Sequence, residues 1–279
     1  MSILKRDGLL HYKNILILVI IYLFLTACST KQNPNIQHLI KIINQHYIED
    51  VILKKNEYPD EINSIESILN KLDKYTLYLD NESYKPKLVH YKEYSSRITK
   101  EKYLYLKVPY FKKGVSDQIA HTIKNTDAKI TKIILDLRNN PGGKLNEAIK
   151  IVDLFLDEGL IITIRKKDKH NVRKYFASTK NTLTTLPLII LVNNKSASSS
   201  EIVAGALKYS NRAILVGEKT YGKGTIQAMI YLDLHKTQKI RLSVAKYYFL
   251  NNKENNNGIY PDIYLKDIDD SILKKASSL

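Results

Sequence analysis

Three residues that lie far apart in the sequence have the types needed for acyl-transfer chemistry: Ser198, Lys223 and Gln227. Ser198 follows an apolar run typical of a strand and precedes a helical pattern, a position that exposes backbone N–H groups and the positive end of a helix dipole. Both features favour a developing oxyanion, so Ser198 is a candidate nucleophile. Ser198-x-x-Glu201 also fits a capping box, in which the two side chains only satisfy N–H groups, and these residues alone leave that alternative open.

Lys223 is the candidate general base because it stands isolated between Gly222 and Gly224. A lysine accepts a proton from serine only when it is neutral, so its pKa must fall from about 10.4 toward about 7 to 8, which requires burial. The glycines would permit a tight fold that buries the stem, although a solvated lysine in a glycine turn is the alternative. Gln227 could hydrogen-bond the neutral amine. A regular strand would separate the two Cα atoms by about 13 Å, so contact requires a bend at Gly224.

The NNPGG turn, which contains Gly142 and Gly143, is the candidate oxyanion site. Without a Cβ, either glycine lets the backbone approach a substrate so that an N–H can point at the reacting carbonyl oxygen. An ordinary strand-to-helix turn is the alternative. Asp136 and Arg138 lie just before this turn, and we interpret them as structural ion-pairing groups.

Two other kinds of site are not expected. GEKTYGKG approaches the phosphate-binding loop G-x-x-x-x-G-K-[ST], but Gly224 stands where the metal-binding hydroxyl should be, and a strand-like stretch follows instead of a helix. The seven histidines include no pair at metal-ligand spacing within a helix, so we predict no metal and no cofactor. A Ser-His-Asp arrangement with His121, His170 or His235 stays open, although none of them has a motif around it.

The elements that must position these residues alternate between strands and helices from Lys102 onward, which predicts an α/β domain. Amphipathic helices are predicted before it at 36–47 and 60–72, and the stretch 72–88 is predicted as a loop with a short helix. In the α/β part, strands are predicted at 103–108, 132–137, 161–166, 172–177, 186–192, 213–217, 225–234 and 239–250, and helices at 114–125, 144–157 and 269–278. The predicted strands 161–166 and 172–177 form a hairpin.

The N-terminus has the pattern of an export signal. Basic residues precede the apolar run Ile15 to Leu25, which is too short to span a bilayer and has the length of a signal-peptide core. The run ends in LTAC, where Cys28 is the only cysteine of the chain. LTAC resembles the lipobox of bacterial lipoproteins, so Cys28 is predicted to be lipidated, after a signal peptide at 1–27 and before a tether at 28–35. An uncleaved anchor helix or a chance cysteine are the alternatives.

This pattern predicts a protein of the bacterial cell envelope that is held by its lipid at the periplasmic face. The absence of Asp at position 29 favours the outer membrane. The chain has 279 residues with 44% apolar types, enough for a sizeable core, and a net charge of +16. Its lysines are scattered without a basic stripe, so nucleic acid is not an expected partner.

Six blocks of sequence resemble the C-terminal processing, or tail-specific, serine proteases. They occur in the order found in that family and cover about residues 102–279. LNKLDKYTLYLDNESY also resembles the family's N-terminal helical segment. The six blocks are ILDLRNNPGG with LNEAIKIVDLFL, SASSSEIVAGAL, VGEKTYGKGTIQ, AKYY and NGIYPDI.

The resemblance implies an α/β fold with a ClpP/crotonase-like protease core, and a Ser/Lys endopeptidase that cleaves protein or peptide substrates near their C-termini. The family's roles fall on the following residues: the nucleophile on Ser198, the general base on Lys223, the lysine-positioning residue on Gln227, the oxyanion hole on Gly142 or Gly143 together with Ser199, and a supporting position on Glu201.

One departure from the family concerns its PDZ domain. Residues 36–101 are predicted as an N-terminal helical segment, and Leu88 to Glu101 cannot hold a PDZ fold before the core at 102–279. Selection of substrate C-termini would then need another device, such as an adaptor protein. A catalytically inactive binding lipoprotein on the same scaffold is the alternative function. An acyl-CoA enzyme of crotonase type is disfavoured because its cofactor is cytoplasmic, whereas this chain carries an export signal.

Overall fold

The computed structural model describes most of the chain after the predicted tether. Cys28 and the predicted final helix at 269–278 lie outside the described residues. None of the helices in the described part is long and apolar enough to cross a bilayer. The described ranges are 36–57, 62–80, 90–126, 129–168 and 170–266.

A six-stranded sheet forms the centre of the α/β part. All of its strands are parallel except β2, which runs antiparallel to β3 at one edge. Every residue of β4 and β7 is buried, as expected for apolar runs covered on both faces of a parallel sheet. In spatial order the strands are β11 (Ile263–Tyr264), β8 (Ile214–Gly217), β7 (Leu188–Val192), β4 (Lys132–Asp136), β3 (Tyr103–Lys107) and β2 (Ser95–Ile98).

A second, antiparallel sheet carries the strands that follow Lys223. Its longest strand, β10, pairs with β1, β5 and β9, and β6 closes the far edge as the second strand of the predicted hairpin. The α/β class expected from the sequence is therefore confirmed. The strands are β1 (Leu77–Asp80), β5 (Gly159–Lys166), β6 (Val172–Ala177), β9 (Thr225–Tyr231) and β10 (Gln238–Tyr248).

Three helices pack against the parallel sheet and form the main core with it. Of these, α5 is buried along nearly its whole length. Its Gly205 must lack a side chain, because an added Cβ would lie 2.3 Å from the Phe249 ring. The described helices are α1 (Ile36–His46), α2 (Ile62–Leu69), α3 (Val115–Lys124), α4 (Leu145–Asp153) and α5 (Ser199–Tyr209), with short 3₁₀ turns at Lys55–Glu57 and Leu250–Asn252.

The N-terminal segment is packed onto the antiparallel sheet through a second core. The apolar face of α1 contributes Leu39 and Ile43, and β10 contributes Ile240 and Leu242. The hydroxyl of Tyr47 accepts the N–H of Asp73 at 2.8 Å and ties α1 to the loop after α2. This loop is thereby held in a fixed relation to the strands around Lys223.

Several details differ from the sequence-based predictions, including the two-residue strand β11, which was not predicted. The stretch predicted as a loop with a short helix contains β1, whose four residues pair with β10. The edge strand β2 was not predicted, and all four of its residues are exposed, so no apolar alternation marks it. Helix α4 ends at Asp153 and not at 157, because a turn at Leu154 lets Phe155 pack into the core.

Candidate active site

Ser198 occupies a strained position between β7 and α5. Its φ of 55° and ψ of −114° lie in a region that side-chain-bearing residues rarely adopt, at a cost of order 1–3 kcal/mol. The capping-box arrangement is present, and the Ser198 N–H donates to Glu201 Oε2 at 2.8 Å. Capping uses the serine oxygen only as an acceptor, so the hydroxyl proton stays available to a base. The capping alternative therefore coexists with a nucleophilic role.

The neighbouring serines are occupied by contacts with the NNPGG turn and the strand before it. Ser196 Oγ donates to the carbonyl of Leu137 at 2.8 Å, and Ser200 Oγ donates to the carbonyl of Asn140 at 2.8 Å. Ser199 Oγ donates to a carbonyl of the same turn at 3.1 Å. These hydroxyls fasten the start of α5 to the turn and leave Ser198, which is half-buried, as the candidate nucleophile of the cluster.

The two glycines of the turn have different roles. The backbone of Gly142 packs so closely against Ser198 that an added Cβ would lie 3.0 Å from Ser198 Cβ and 3.1 Å from Ser199 N. Its N–H donates to Asn140 Oδ1 at 2.9 Å. In the part of the chain that the structure describes, the N–H groups of Gly143 and Ser199 have no hydrogen-bond acceptor. Those two donors are thus available for an oxyanion, whereas the donor of Gly142 is in use.

Glu201 joins the segment of the nucleophile to the segment of the lysine. Its side chain is fully buried. Oε2 accepts the N–H groups of Ser198 and Lys223, at 2.8 and 2.9 Å, and Oε1 accepts the Thr220 hydroxyl and the Gly222 N–H, at 2.6 and 2.7 Å. The family resemblance implied only a supporting role for Glu201. Its link to the Lys223 backbone has no sequence signal, because the two residues are brought together by the fold.

The Lys223 amine lies in a partly buried and mixed-charge environment. Burial lowers its pKa most, the positive charge of Arg241 lowers it further, and the carboxylates of Asp73 and Glu201 oppose both effects. The net direction is downward, as general-base chemistry requires. Nζ lies 5.0 Å from the ring centroid of Tyr75. Within the described ranges, the amine makes no hydrogen bond to the Ser198 hydroxyl, so the two groups are not yet in proton-transfer contact.

The loop that carries Lys223 is held through its backbone by a later loop. The Tyr247 hydroxyl donates a hydrogen bond to the Lys223 carbonyl at 2.9 Å and accepts one from Asn255 Nδ2 at 2.8 Å. A Cβ on Gly222 would lie 2.8 Å from Gly258 N, and a Cβ on Gly224 would lie 2.4 Å from the Asn255 carbonyl oxygen. The flanking glycines therefore serve close backbone packing, in agreement with the tight fold expected from the sequence.

Gln227 does not contact the lysine amine in this structure. Its Nε2 donates to Thr225 Oγ1 at 2.9 Å and to Ser243 Oγ at 3.0 Å. The strand β9 begins at Thr225, so the backbone becomes regular immediately after Gly224. Among the described residues, no hydrogen bond joins Gln227 to Lys223, and the lysine-positioning role stays a prediction.

Asp136 and Arg138 form the ion pair that the sequence suggested, within a larger network. Arg138 Nη2 and Lys107 Nζ lie 2.6 and 2.9 Å from the carboxylate of Asp136, which also accepts the Tyr105 hydroxyl. Although burial alone would raise the pKa of Asp136, Arg138 and Lys107 outweigh it and hold the pKa below its usual range. These residues line a cavity of about 600 Å³ at the carboxyl ends of the parallel strands, and neither Ser198 nor Lys223 lines it.

The positions of three histidines bear on the alternative of a Ser-His-Asp arrangement. His121, His170 and His235 are exposed, and within the described ranges none of them hydrogen-bonds Ser198. No group of three or more His, Cys, Asp or Glu side chains in the described residues is arranged to hold a metal ion.

Comparison with known proteins matches this chain to a family. The family model described as Peptidase family S41 matches residues 102–265. The carboxy-terminal-processing protease of Bartonella bacilliformis is 36% identical over 168 residues, which cover 58% of this chain and 38% of that protein. The carboxyl-terminal-processing protease of Picosynechococcus sp. is 38% identical over 165 residues, which cover 58% and 39% of the two chains. The chain thus spans about two-fifths of the length of these curated relatives.

Solved structures agree with this assignment of the fold. The photosystem II D1 C-terminal processing protease aligns with a TM-score of 0.54 at 26% identity, over 70% of this chain and 49% of that chain. A lipoprotein from Streptococcus agalactiae aligns with a TM-score of 0.66 at 18% identity, over 87% and 93% of the two chains, which shows a shared fold. The ClpP/crotonase-like core expected from the sequence is consistent with these matches.

Proposed function

The chain belongs to peptidase family S41, and from this premise we propose that it is a serine endopeptidase with Ser198 as nucleophile and Lys223 as general base. The observation that carries the proposal is the buried Glu201 carboxylate, which accepts the backbone N–H of both residues at 2.8 and 2.9 Å. One rigid group thus holds the serine and the lysine segments side by side. The downward direction of the Lys223 pKa supports the role of a base.

In the proposed reaction, Ser198 Oγ attacks the scissile carbonyl carbon while neutral Lys223 accepts the hydroxyl proton. The resulting oxyanion binds the N–H groups of Gly143 and Ser199, which are the unused donors beside the serine. The protonated lysine then gives its proton to the leaving amine. Water, deprotonated by the same lysine, then attacks the acyl carbon. The bond between the acyl carbon and Ser198 Oγ breaks, the lysine returns its proton to Oγ, and the acyl group leaves as a carboxylic acid. Hydrogen bonds of this kind commonly tighten only when substrate binds, and Lys223 must reach Ser198 at that stage.

The substrates that we propose are proteins or peptides cleaved near their C-termini. This rests on the names of the relatives from Bartonella and Picosynechococcus, which are carboxyl-terminal-processing proteases. If residues 36–101 contain no PDZ domain, as the sequence suggests, an adaptor protein could deliver these C-termini. Gln227 is retained in the proposal as a residue that could orient the amine once Lys223 turns toward the serine.

We also propose that the protein is exported and anchored by a lipid on Cys28 at the periplasmic face of the envelope. The support is the lipobox-like LTAC after an apolar run of signal-peptide length. Metabolic labelling with palmitate tests this: we expect label on the wild-type protein and none on Cys28→Ser. Equal labelling of the two proteins would reject lipidation at this cysteine.

The central experiment measures cleavage of a peptide library and labelling by a serine-reactive fluorophosphonate. Ser198→Ala should lose both, and Lys223→Met should lose turnover, each while the protein remains folded. Ser210→Ala and Lys219→Met are the matched controls and should keep full activity, because neither side chain contacts Ser198 or Glu201 among the described hydrogen bonds. Full activity in Ser198→Ala or Lys223→Met would reject the mechanism. Folded wild-type protein that neither cleaves nor labels would favour the inactive binding lipoprotein.

A further inference from the structure

The amine of Lys223 lies against Tyr75, a residue outside the range 102–265 that matches the family model. Its Nζ lies 5.0 Å from the ring centroid of Tyr75, within the range of a cation–π contact. Tyr75 belongs to the loop between α2 and β1, whereas the family match begins at residue 102. Tyr75 lies in LNKLDKYTLYLDNESY, which resembles the family's N-terminal helical segment, but no role at the site was predicted for it. The N-terminal segment thus contributes a wall of the site.

The position of Tyr75 is set by contacts that do not depend on the lysine. Asp73 Oδ1 accepts the N–H groups of Tyr75 and Thr76, each at 2.9 Å. Arg241 Nε donates to the Tyr75 carbonyl at 3.2 Å. The second core fixes Asp73 through the Tyr47 hydroxyl. Because its backbone is anchored from two sides, the ring of Tyr75 is a preformed surface and the flexible lysine side chain is the group that adapts.

The charges around the amine distinguish its two protonation states. Arg241 disfavours the ammonium form, and Asp73 and Glu201 favour it. A further cation, Lys74 Nζ, lies 5.2 Å from the Tyr75 ring and 5.0 Å from the ring of Tyr221, whose centroid is 6.4 Å from that of Tyr75. An aromatic face attracts a cation through its quadrupole. A neutral amine lacks this attraction. The ring therefore holds the lysine side chain away from Ser198 only while the amine is charged.

We propose that Tyr75 is a positioning residue for Lys223, which holds the charged amine away from Ser198 in the resting protein and releases it when the amine becomes neutral. This inference rests on the proposed function for its catalytic meaning. The ring would then set the pH at which the base becomes available, because it stabilises the ammonium form that cannot accept a proton.

The first test compares the pH dependence of kcat/KM in the wild-type protein, Tyr75→Phe and Tyr75→Leu. Leucine removes the aromatic face but keeps an apolar side chain beside the amine. We expect the acid limb of Tyr75→Leu to move to lower pH by about half a unit to one unit, a shift typical of a lost cation–π contact. At pH values below both limbs, this shift corresponds to a rise of about 3- to 10-fold in kcat/KM. Tyr75→Phe keeps the ring, and its limb should coincide with that of the wild type.

A matched control is Tyr231→Leu, which removes another cation–π pair, with Lys236 at 5.7 Å, in the β9–β10 hairpin. Its acid limb should stay in place. The proposal is overturned if the limb of Tyr75→Leu also stays in place, or if Tyr75→Phe shifts as far as Tyr75→Leu. A uniform loss of activity at all pH values in both Tyr75 variants would also overturn it, because it would indicate a merely structural role.

A second measurement needs no catalytic activity. Competitive acylation with acetic anhydride, followed by mass spectrometry of the peptide that contains Lys223, reports the pH at which this amine loses its proton. We expect the midpoint of Tyr75→Leu to lie below that of the wild type, with Tyr75→Phe and Tyr231→Leu unchanged. A shifted midpoint in a protein that cleaves no peptide would reject the proposed function and keep the lysine–tyrosine contact. An unshifted midpoint in a protein that cleaves peptides would reject the influence of Tyr75 on the lysine and keep the proposed function.

Discussion

At the scale of single residues, the strained backbone of Ser198 lies in close contact with Gly142. The serine has a φ of 55°, and the space beside it is filled by the glycine backbone, which could not accept a Cβ without meeting Ala197, Ser198 and Ser199 at about 3 Å. The strain is maintained because the hydroxyls of Ser196 and Ser200 fasten both sides of the contact. A strained residue that its surroundings over-determine is typical of a preorganised site.

The substitution Gly142→Ala tests this contact. The added methyl group would push the serine from its position, and a displacement of about 1 Å can lower turnover by about 100-fold. We therefore expect a drop in kcat of this size, measured on a peptide that the wild-type protein cleaves, together with a lower melting temperature.

Gly159→Ala is the matched control for the backbone strain alone. Gly159 has a φ of 101°, close to the 108° of Gly142, but nothing lies within 4 Å of its added Cβ. This variant should lose about 1 to 3 kcal/mol of unfolding free energy and keep its kcat. Equal losses of kcat in the two variants would show that the contact with Ser198 has no special importance.

At this scale, the sequence indicated which residues could do chemistry but not which residues contact them. Ser198 and Lys223 could be selected because their neighbours, a helix start and two glycines, are adjacent in the sequence. The Glu201 link to Lys223 and the ring of Tyr75 could not be selected, because their partners are brought close only by the fold. For the same reason, the sequence could not distinguish Gly143 from Gly142, since the difference is the side chain of Asn140.

At the scale of elements, the parallel pairing of β3 and β4 creates the ion-pair network before the NNPGG turn. Their register places Lys107 beside Asp136, both at the carboxyl ends of their strands. Arg138, two residues after Asp136 and directly before the turn, completes the network. The carboxylate of Asp136 is fully buried, so its stabilising effect depends on both cations. The network thereby connects the sheet to the turn that carries the candidate oxyanion donors.

Replacing Asp136 by Asn should destabilise the protein in a pH-dependent way. The variant removes the buried carboxylate that pairs with Lys107 and Arg138, which should lower the unfolding free energy by about 3–5 kcal/mol near neutral pH. The pKa of Asp136 is lowered in the folded state. Its stabilisation is therefore fully present above the ordinary carboxyl pKa of about 3.9 and is lost as the pH falls through the lower folded-state pKa.

Urea unfolding from pH 7 to pH 3 measures this effect. The difference between the wild type and Asp136→Asn should stay constant above about pH 5 and narrow below about pH 4. Asp117→Asn removes an exposed carboxylate, 3.9 Å from Lys150 with 76% side-chain exposure, and should cost about 0 to 1 kcal/mol. A difference between wild type and Asp136→Asn that does not change with pH would contradict the ion-pair explanation.

The elements that the sequence predicted well are those whose own pattern decides their structure. β7 is a continuous apolar run and β4 has an apolar centre, and every residue in both is buried. β1 and β2 are short and carry mixed residues, and they exist because β10 and β3 offer them a partner. A strand formed by long-range pairing leaves little trace in its own four residues.

At the scale of the whole molecule, two hydrophobic cores meet through the antiparallel sheet. The main core lies between the parallel sheet and helices α3 to α5, and β10 supplies residues to both cores, Tyr247 to the main core and Ile240 to the second. The second core fixes the loop that holds Tyr75. Stability of the N-terminal segment and the geometry of the lysine are therefore coupled through β10.

Truncation of Ile43 tests this coupling. Ile43 is fully buried in the second core, so Ile43→Ala should lower the unfolding free energy by about 2–5 kcal/mol, measured by urea unfolding. Ile52→Ala, at a side chain that is 83% exposed, should change it by less than about 0.5 kcal/mol. If the unfolding free energy of Ile43→Ala equalled that of the wild type, the N-terminal segment would contribute little to the stability of the folded state.

The fastening of the lysine loop by Tyr247, Asn255 and Gly258 has a consequence for the newly made chain. A ribosome completes the serine segment first, and the clamp that shapes the base emerges about 25 to 35 residues after the lysine itself. A polypeptide released before that point would carry the nucleophile without a seated partner. The order of synthesis would thus delay assembly of the candidate site until the segment from Tyr247 to Gly258 has been translated.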